Sequence, residues 1–391
     1  MKKKQFIFLC ILFCFCLFFF PSSSVSVYAE NVDYQEKLGE SVIGQLNELD
    51  LKALEDYVRE LEGNESLNLK ERLLEYVKGG GFGLENFFQE LLELLFSSVK
   101  QMIPSFACIA AIGLLCGILN SLQSQHLKQS TSKLVFFSAY LGALIPIFGI
   151  LSEGIFCAQE AVSSMQKQMQ IVFPLMLTLI AASGGSVSVA IYQPSVAFLC
   201  NTLVSMIEKI VFPITIAIIV FSMSGKMFGE LKTEKFATFF KSVNKWIMGI
   251  GFSVFGLFFT VQGLTAASYD GIVRRAAKYA LGTGVPIVGG FLSSGFDLAV
   301  AGSMLIKNSL GNFSLFLLIT VLFEPLTLLI AINLLLRLTA AITQPFGDSK
   351  IASFLEETAG NLNYLVAGLL FTAFLYFIVV LLLVCSTEMF L

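Results

Sequence analysis

Apolar positions recur in two patterns along this chain. Between residues 31 and 78 they fall mainly at three- and four-residue steps among acids, whereas from Ile103 onward long apolar runs alternate with short polar interruptions. The first pattern is clearest in "LNELDLKALEDYVRELEG", where Leu46, Leu49, Leu54, Tyr57, Val58 and Leu61 share a face, and it predicts one or two amphipathic helices ending near "KGGGFG", Lys78 to Gly83. So small a helix pair buries little core on its own. It either docks on the membrane part or on a partner, or remains a solvated leader. In "LENFFQELLELLFSSVKQ" the side chains of Phe87, Phe88, Leu91 and Leu92 oppose Glu85, Glu90 and Glu93. That suits a helix lying at a membrane interface, or an N-terminal extension of the first span.

The second pattern predicts membrane-spanning helices, each needing about 20 apolar residues. Ile103 to Leu122 and Leu134 to Ser152 are the first two, separated by "NSLQSQHLKQSTSK" with the only histidine, His126. Ile171 to Ser224 is apolar throughout but interrupted at Ser183, Gly184, Gly185 and Ser186, again at Gln193 and Pro194, and again at Glu208 and Lys209. Trp246 to Ala266 is an uninterrupted span with Trp246 as an interfacial anchor, followed by a stretch rich in small residues that includes "GTGVPIVGGFLSSG". Phe313 to Leu336 contains Glu324 and Pro325, "QPFGDSKIASFLEETAGN" reads as a polar connector, and Tyr364 to Val384 is the last span. The fold class is therefore all-α: a polytopic integral membrane protein with several transmembrane helices, some broken or re-entrant.

Composition agrees and adds direction. Of 391 residues 56% are hydrophobic and 14% charged, with a mean hydropathy of +0.80, against roughly 25% charged for soluble domains. Residues 30 to 100 hold sixteen acids and seven bases, and the remainder of the chain beyond them twelve and fifteen. Lys2, Lys3 and Lys4, the run "FIFLCILFCFCLFFF", Pro21, a serine-rich stretch and "VYA" ending at Ala29 form a secretory signal, with cleavage expected after Ala29. An uncleaved first helix is the alternative, and either way Glu30 onward starts outside the cytoplasm. The domain organisation is a signal peptide over 1–29, an acidic helical extracytoplasmic leader over 30–102, and a multi-pass membrane domain over 103–391.

Loop charges then assign sides by the positive-inside rule. Lys128 and Lys133 place their loop in the cytoplasm; Glu153 and Glu160 against Lys167 mark the next loop as external; "KMFGELKTEKFATFFKSVNKW", with five lysines and two acids, is cytoplasmic again. An odd number of crossings must lie between Lys167 and Lys226, which three short helices or one span with a re-entrant hairpin would supply. Arg274, Arg275 and Lys278 fall on the external side, against the rule, so the orientation of the last third stays open.

Catalytic chemistry has no footing. There is no HExxH, GxSxG or Walker A loop, and His126 lacks ligand partners at helical spacing. Asp270 and Asp297 lack GxGD-like surroundings, and the five cysteines beyond the signal show no CxxC spacing. No enzyme, metal, cofactor or nucleic-acid partner is expected. Glu208, Lys209 and Glu324 would each cost about 2.5 to 3.5 kcal/mol at mid-helix in lipid, so they face protein, water or each other. They are either parts of a conduit or ion-coupled site or, for Glu208 and Lys209, a turn between short helices at the headgroups. The Ser183 to Ser186 break with Gln193 and Pro194 resembles the broken helices that mark transporter sites; small residues equally allow close helix packing.

The segments "AASGGSVSVAIYQPSVAFLCNT", "VQGLTAASYDGIVRRAAKYALGTGVPIVGG" and "ITQPFG", in this order behind a signal and an acidic leader, resemble the stage III sporulation protein AE family of endospore-forming bacteria. The resemblance covers the membrane region and carries no catalytic residue with it. It implies a subunit of the mother-cell membrane around the forespore. That subunit would act with the other proteins of its operon, including a secretion-type ATPase, and with stage II sporulation protein Q, in a channel-like apparatus that sustains late forespore gene expression. A homo-oligomer is compatible with that role. The alternative from the residues alone is a self-sufficient secondary permease using broken helices and Glu324.

Overall fold

In this computed structural model, described over residues 32–62, 69–70, 73–74, 96–115, 118, 129–227, 233–284, 289–346 and 349–386, all regular structure is helical. The signal at 1–29, the glycines at 78–83 and the loop around His126 lie outside the described residues. Helices α1 (Val32–Glu48) and α2 (Lys52–Glu62) form the leader, and α3 is Phe96–Leu115. The bundle continues with α4 (Gln129–Ala182), α5 (Ser186–Met206), a π-helical turn (Ile207–Val211), α6 (Phe212–Met227), α7 (Glu234–Gly284), α8 (Gly289–Phe346) and α9 (Ser349–Cys385). Five segments among the described residues are long and apolar enough to cross a membrane: Phe96–Leu115, Leu144–Ala182, Ser188–Ser222, Gly295–Pro345 and Ile351–Cys385. The all-α, multi-pass expectation holds.

The helices are longer and less interrupted than the hydropathy pattern implies. The external loop expected around Glu153, Glu160 and Lys167 does not form, because α4 runs straight through it. Gly154, Ala158, Ala161, Val162, Met165, Gln168 and Met169 are buried at three- and four-residue steps through that stretch, while Glu153, Glu160 and Lys167 all fall on the exposed face. Helical period survives where mean hydropathy drops. Pro146 and Pro174 lie inside α4, and Pro325 inside α8, without ending either helix. A proline removes one helix hydrogen bond, which neighbouring helices compensate when they hold both flanks. The expected connector at 344–361 is likewise mostly helix, shared between the end of α8 and the start of α9.

At 1.5 Å per residue the 54 residues of α4, 51 of α7 and 58 of α8 extend about 75 to 90 Å, against a hydrocarbon thickness of about 30 Å. These helices must project well beyond the bilayer. α8 runs antiparallel to α4, with Gly154 beneath Leu329 and Ile332 and Gly311 beside Met176, and antiparallel to α9, with Gly311 against Val380 and Val384. On the other flank of α9, Gly368 receives Phe212 and Ile207, and Gly251 of α7 receives Met206 and Leu203.

The leader is part of this body. Leu46, Leu51, Leu54, Tyr57 and Val58 belong to the same apolar core as α4, α8 and α9. Gln45 donates to the Ala299 carbonyl at 3.0 Å and accepts from Ser303 Oγ at 2.9 Å, tying α1 to α8. Tyr57 Oη donates to the Ser164 carbonyl of α4 at 3.1 Å. Burial, and secondarily the Glu60 charge, hold its phenol well above the ordinary value, so it remains a donor. Lys167 and Glu60 meet at 3.4 Å, but both side chains are more than half exposed, so solvent screens that pair. Of the two leader readings, the docked one describes this molecule.

Candidate functional site

The Ser183 to Ser186 break is one tight reversal between α4 and α5. Gly184 takes φ +86°, the left-handed conformation that glycine adopts without a Cβ clash. The Gly185 N–H donates to the Ile180 carbonyl at 2.9 Å and the Gly184 N–H to the Ala181 carbonyl at 3.0 Å, the paired bonds of a Schellman helix end. Buried Ser183 returns its hydroxyl to the Ile180 carbonyl at 2.8 Å. Gly185 starts α5 without a side-chain cap, and its carbonyl accepts from the Val189 N–H at 3.1 Å. Ser186 is the first residue of α5. The turn therefore satisfies carbonyls at the end of α4, while the first turn of α5 has no side-chain cap.

Neither of the other two interruptions breaks the chain. Gln193 and Pro194 sit within α5, both exposed, and the helix continues to Met206. Glu208 and Lys209 occupy the π-helical turn, where Phe212 N–H bonds the Ile207 carbonyl five residues back. One extra residue in the ladder keeps Ile207 and Val211 buried while Lys209 stays exposed, and no turn between short helices is needed. Between Lys167 and Met227 the chain thus makes one reversal followed by a single rod; three short helices are not formed.

The hairpin frames a cleft of about 370 Å³ between α4 and α5. Its floor is Met169, Phe173, Leu177 and Val196; Gln170, Thr178, Gln193 and Asn201 edge it, and no lining residue is charged. Gln170 Nε2 donates to Asn201 Oδ1 at 3.0 Å and Gln166 Nε2 to the same oxygen at 3.4 Å, which fixes the register of the two helices. Of the predicted residues, Ser183 to Ser186, Gln193 and Pro194 share this hairpin. Glu324 and Pro325 lie on α8, at a level between its contacts with Gly154 and Gln168 of α4, with Glu324 exposed and Pro325 buried. The acidic and basic candidates are not brought to the cleft.

A polar joint elsewhere escaped the pattern of the chain. Glu357 Oε1 accepts from Lys241 Nζ at 3.0 Å and from Ser222 Oγ at 3.1 Å, and Asn361 Nδ2 donates to Ser222 Oγ at 3.2 Å. Asn244, also on α7, donates to Thr215 Oγ1 of α6 at 3.0 Å. Helices α6, α7 and α9 are pinned together there. Fully buried Lys307 donates its Nζ to the Val384 carbonyl at 2.6 Å, tying α8 to the end of α9. Lys241, Asn244, Glu357 and Asn361 lie at helical spacing in segments that read as connectors, whereas Thr215 and Ser222 fall in a run that reads as apolar and gave no signal.

A family model described as stage III sporulation protein AE (spore_III_AE) matches residues 67–387. A relative of that name from Bacillus subtilis (strain 168) is 27% identical over 310 residues, covering 79% of this chain and 78% of the relative. No solved structure matches.

Proposed function

We propose, because this chain belongs to the stage III sporulation protein AE family, that it is a membrane subunit of the channel or secretion-like apparatus linking mother cell and forespore, needed for late forespore gene expression. It acts without catalysing a reaction. Its place is the mother-cell membrane around the forespore, reached through the signal peptide at 1–29. Its partners are the other proteins of the stage III A operon, including a secretion-type ATPase, and, directly or indirectly, stage II sporulation protein Q. The family relation carries this reading. Two structural features support it: helices longer than a bilayer is thick, and a leader fixed against α4 and α8 that can present its acidic outer face to soluble partner domains.

The permease reading has less support. It rested on broken helices and Glu324, yet α5 and α8 are continuous and Glu324 lies away from the cleft. The test is to express this chain in Bacillus subtilis lacking its own relative, with a late forespore reporter, and to recover the chain with the operon partners. Restored reporter activity together with co-recovery is expected. Solute transport by the purified chain in vesicles, with no partner present, would favour the permease.

A further inference from the structure

On α8, Ile330, Leu334, Leu338 and Ile342 recur every four residues at 40 to 54% exposure, a face of large apolar side chains that suits lipid. One cation stands on it. Arg337 is exposed between Leu334 and Leu338, and no carboxylate among the described residues pairs with it, exposed Glu356 of the neighbouring helix α9 included. An unpaired guanidinium against hydrocarbon is costly, so this position calls for an anion. The side chain is also held in place. Its Nε donates to Asn333 Oδ1 at 2.8 Å, and Asn333 Nδ2 donates in turn to the Ala359 carbonyl at 2.6 Å and to Asn363 Oδ1 at 3.2 Å. The two Nη groups of Arg337 and the Nδ2 group of exposed Asn363 keep their donors for a partner from outside the bundle.

The other flank of the bundle marks the level. Lys241 of α7 reaches Glu357 of α9, within one turn of the Ala359 that Asn333 reaches, and Trp246, 69% exposed, follows little more than a turn along α7 beside exposed Lys245. Exposed tryptophan next to lysine is what a helix presents to lipid headgroups.

We propose that Arg337 binds the phosphodiester of an anionic phospholipid, in the leaflet on the side of the lysine-rich connector between α6 and α7. With Nε engaged by Asn333, both Nη groups meet the phosphate end-on, a fork that matches two of its oxygens. Asn363 lies on the far side of Asn333, toward the middle of the apolar span of α9, where the ester carbonyls of the same lipid accept from its Nδ2. The acyl chains then run over Leu334 and Ile330. Charge selects the lipid: Arg337 neutralises a net negative headgroup, whereas a zwitterionic one brings its own cation. The exposed apolar row beside Arg337 favours a lipid over a free phosphate, which has no tails to lay there.

The test purifies the full chain in detergent, adds phosphatidylglycerol or phosphatidylcholine of equal chain length, and counts retained lipid by native mass spectrometry. Wild type should hold phosphatidylglycerol about fivefold more tightly or better, the worth of one cation near an anionic headgroup. Arg337→Gln, which keeps an amide donor but no charge, should abolish that preference, and Arg337→Lys, charged but without the fork, should retain part of it. Asn363→Ala should weaken both lipids alike, since both carry ester carbonyls. Lys235→Gln removes an exposed cation at the same end and should change nothing. Arg337 is exposed, so its variants should melt with wild type in lipid-free detergent. Equal retention of the two lipids, a preference that survives Arg337→Gln, or one lost equally with Lys235→Gln overturns the inference. So does displacement of the lipid by inorganic phosphate alone, or a photo-crosslinker at Leu338 that captures a protein chain in place of lipid. Each of these outcomes leaves the proposed place in the sporulation apparatus standing, since that is tested by reporter rescue and co-recovery.

Discussion

Gly184 shows what a single residue can reveal in advance. An apolar run cut by "SGG" calls for a left-handed residue, and Gly184 supplies it at φ +86°. Replacing it with alanine should cost about 1 to 2 kcal/mol, the penalty of a Cβ in that conformation, measurable as a lowered melting temperature in detergent. Gly311 gave no such hint, because its reason is a neighbour distant in sequence. A Cβ there would sit 2.5 Å from Val384 Cγ2, so Gly311→Ala should destabilise by about 1 to 3 kcal/mol through overpacking. Glu357 was equally illegible: only the fold shows it accepting from both Lys241 and Ser222. Removing it should cost more than removing Lys241, and a double-mutant cycle between the two should give a coupling of about 0.5 to 3 kcal/mol.

At the scale of the element, the amphipathic period of α1 and α2 announced a face that needed covering, but not what covers it. The cover is α4 and α8. Leu54 is fully buried there, so Leu54→Ala should cost about 2 to 5 kcal/mol, read as faster protease cleavage of the leader while the bundle stays intact. The docked leader should also respond to alkali. Tyr57 has its folded-state value raised above the unfolded value of about 10, so its stabilisation is complete below about pH 10 and is lost as pH rises toward the folded value. Leader cleavage should accelerate above pH 10. In Tyr57→Phe this alkaline component should disappear, while the lost hydrogen bond costs about 0.5 to 1.5 kcal/mol at neutral pH.

For the whole molecule, the consequence is reach. A bilayer shields only about 20 residues of a helix, and α8 has 58. Single cysteines placed along its outward face and probed with a water-soluble thiol reagent should show one protected stretch about 20 residues long, covering about five or six outward positions, flanked by reactive ones. Protection along the full length would contradict a bundle that projects from the membrane.

The sequence by itself determined the helical class, the several membrane crossings, the amphipathic leader and, through "SGGS", one of three interruptions at which the chain could turn. These follow from hydropathy, helical period and glycine stereochemistry, which are local and can be read residue by residue. Only the tertiary structure decided that α5 and α8 pass unbroken through Pro194 and Pro325, that Glu208 and Lys209 ride on a π-helical turn, and that Lys241, Ser222 and Glu357 meet. A proline or a charge breaks a helix or not according to the helices packed beside it. Those neighbours come from segments more than a hundred residues away, as Ser222 and Glu357 do.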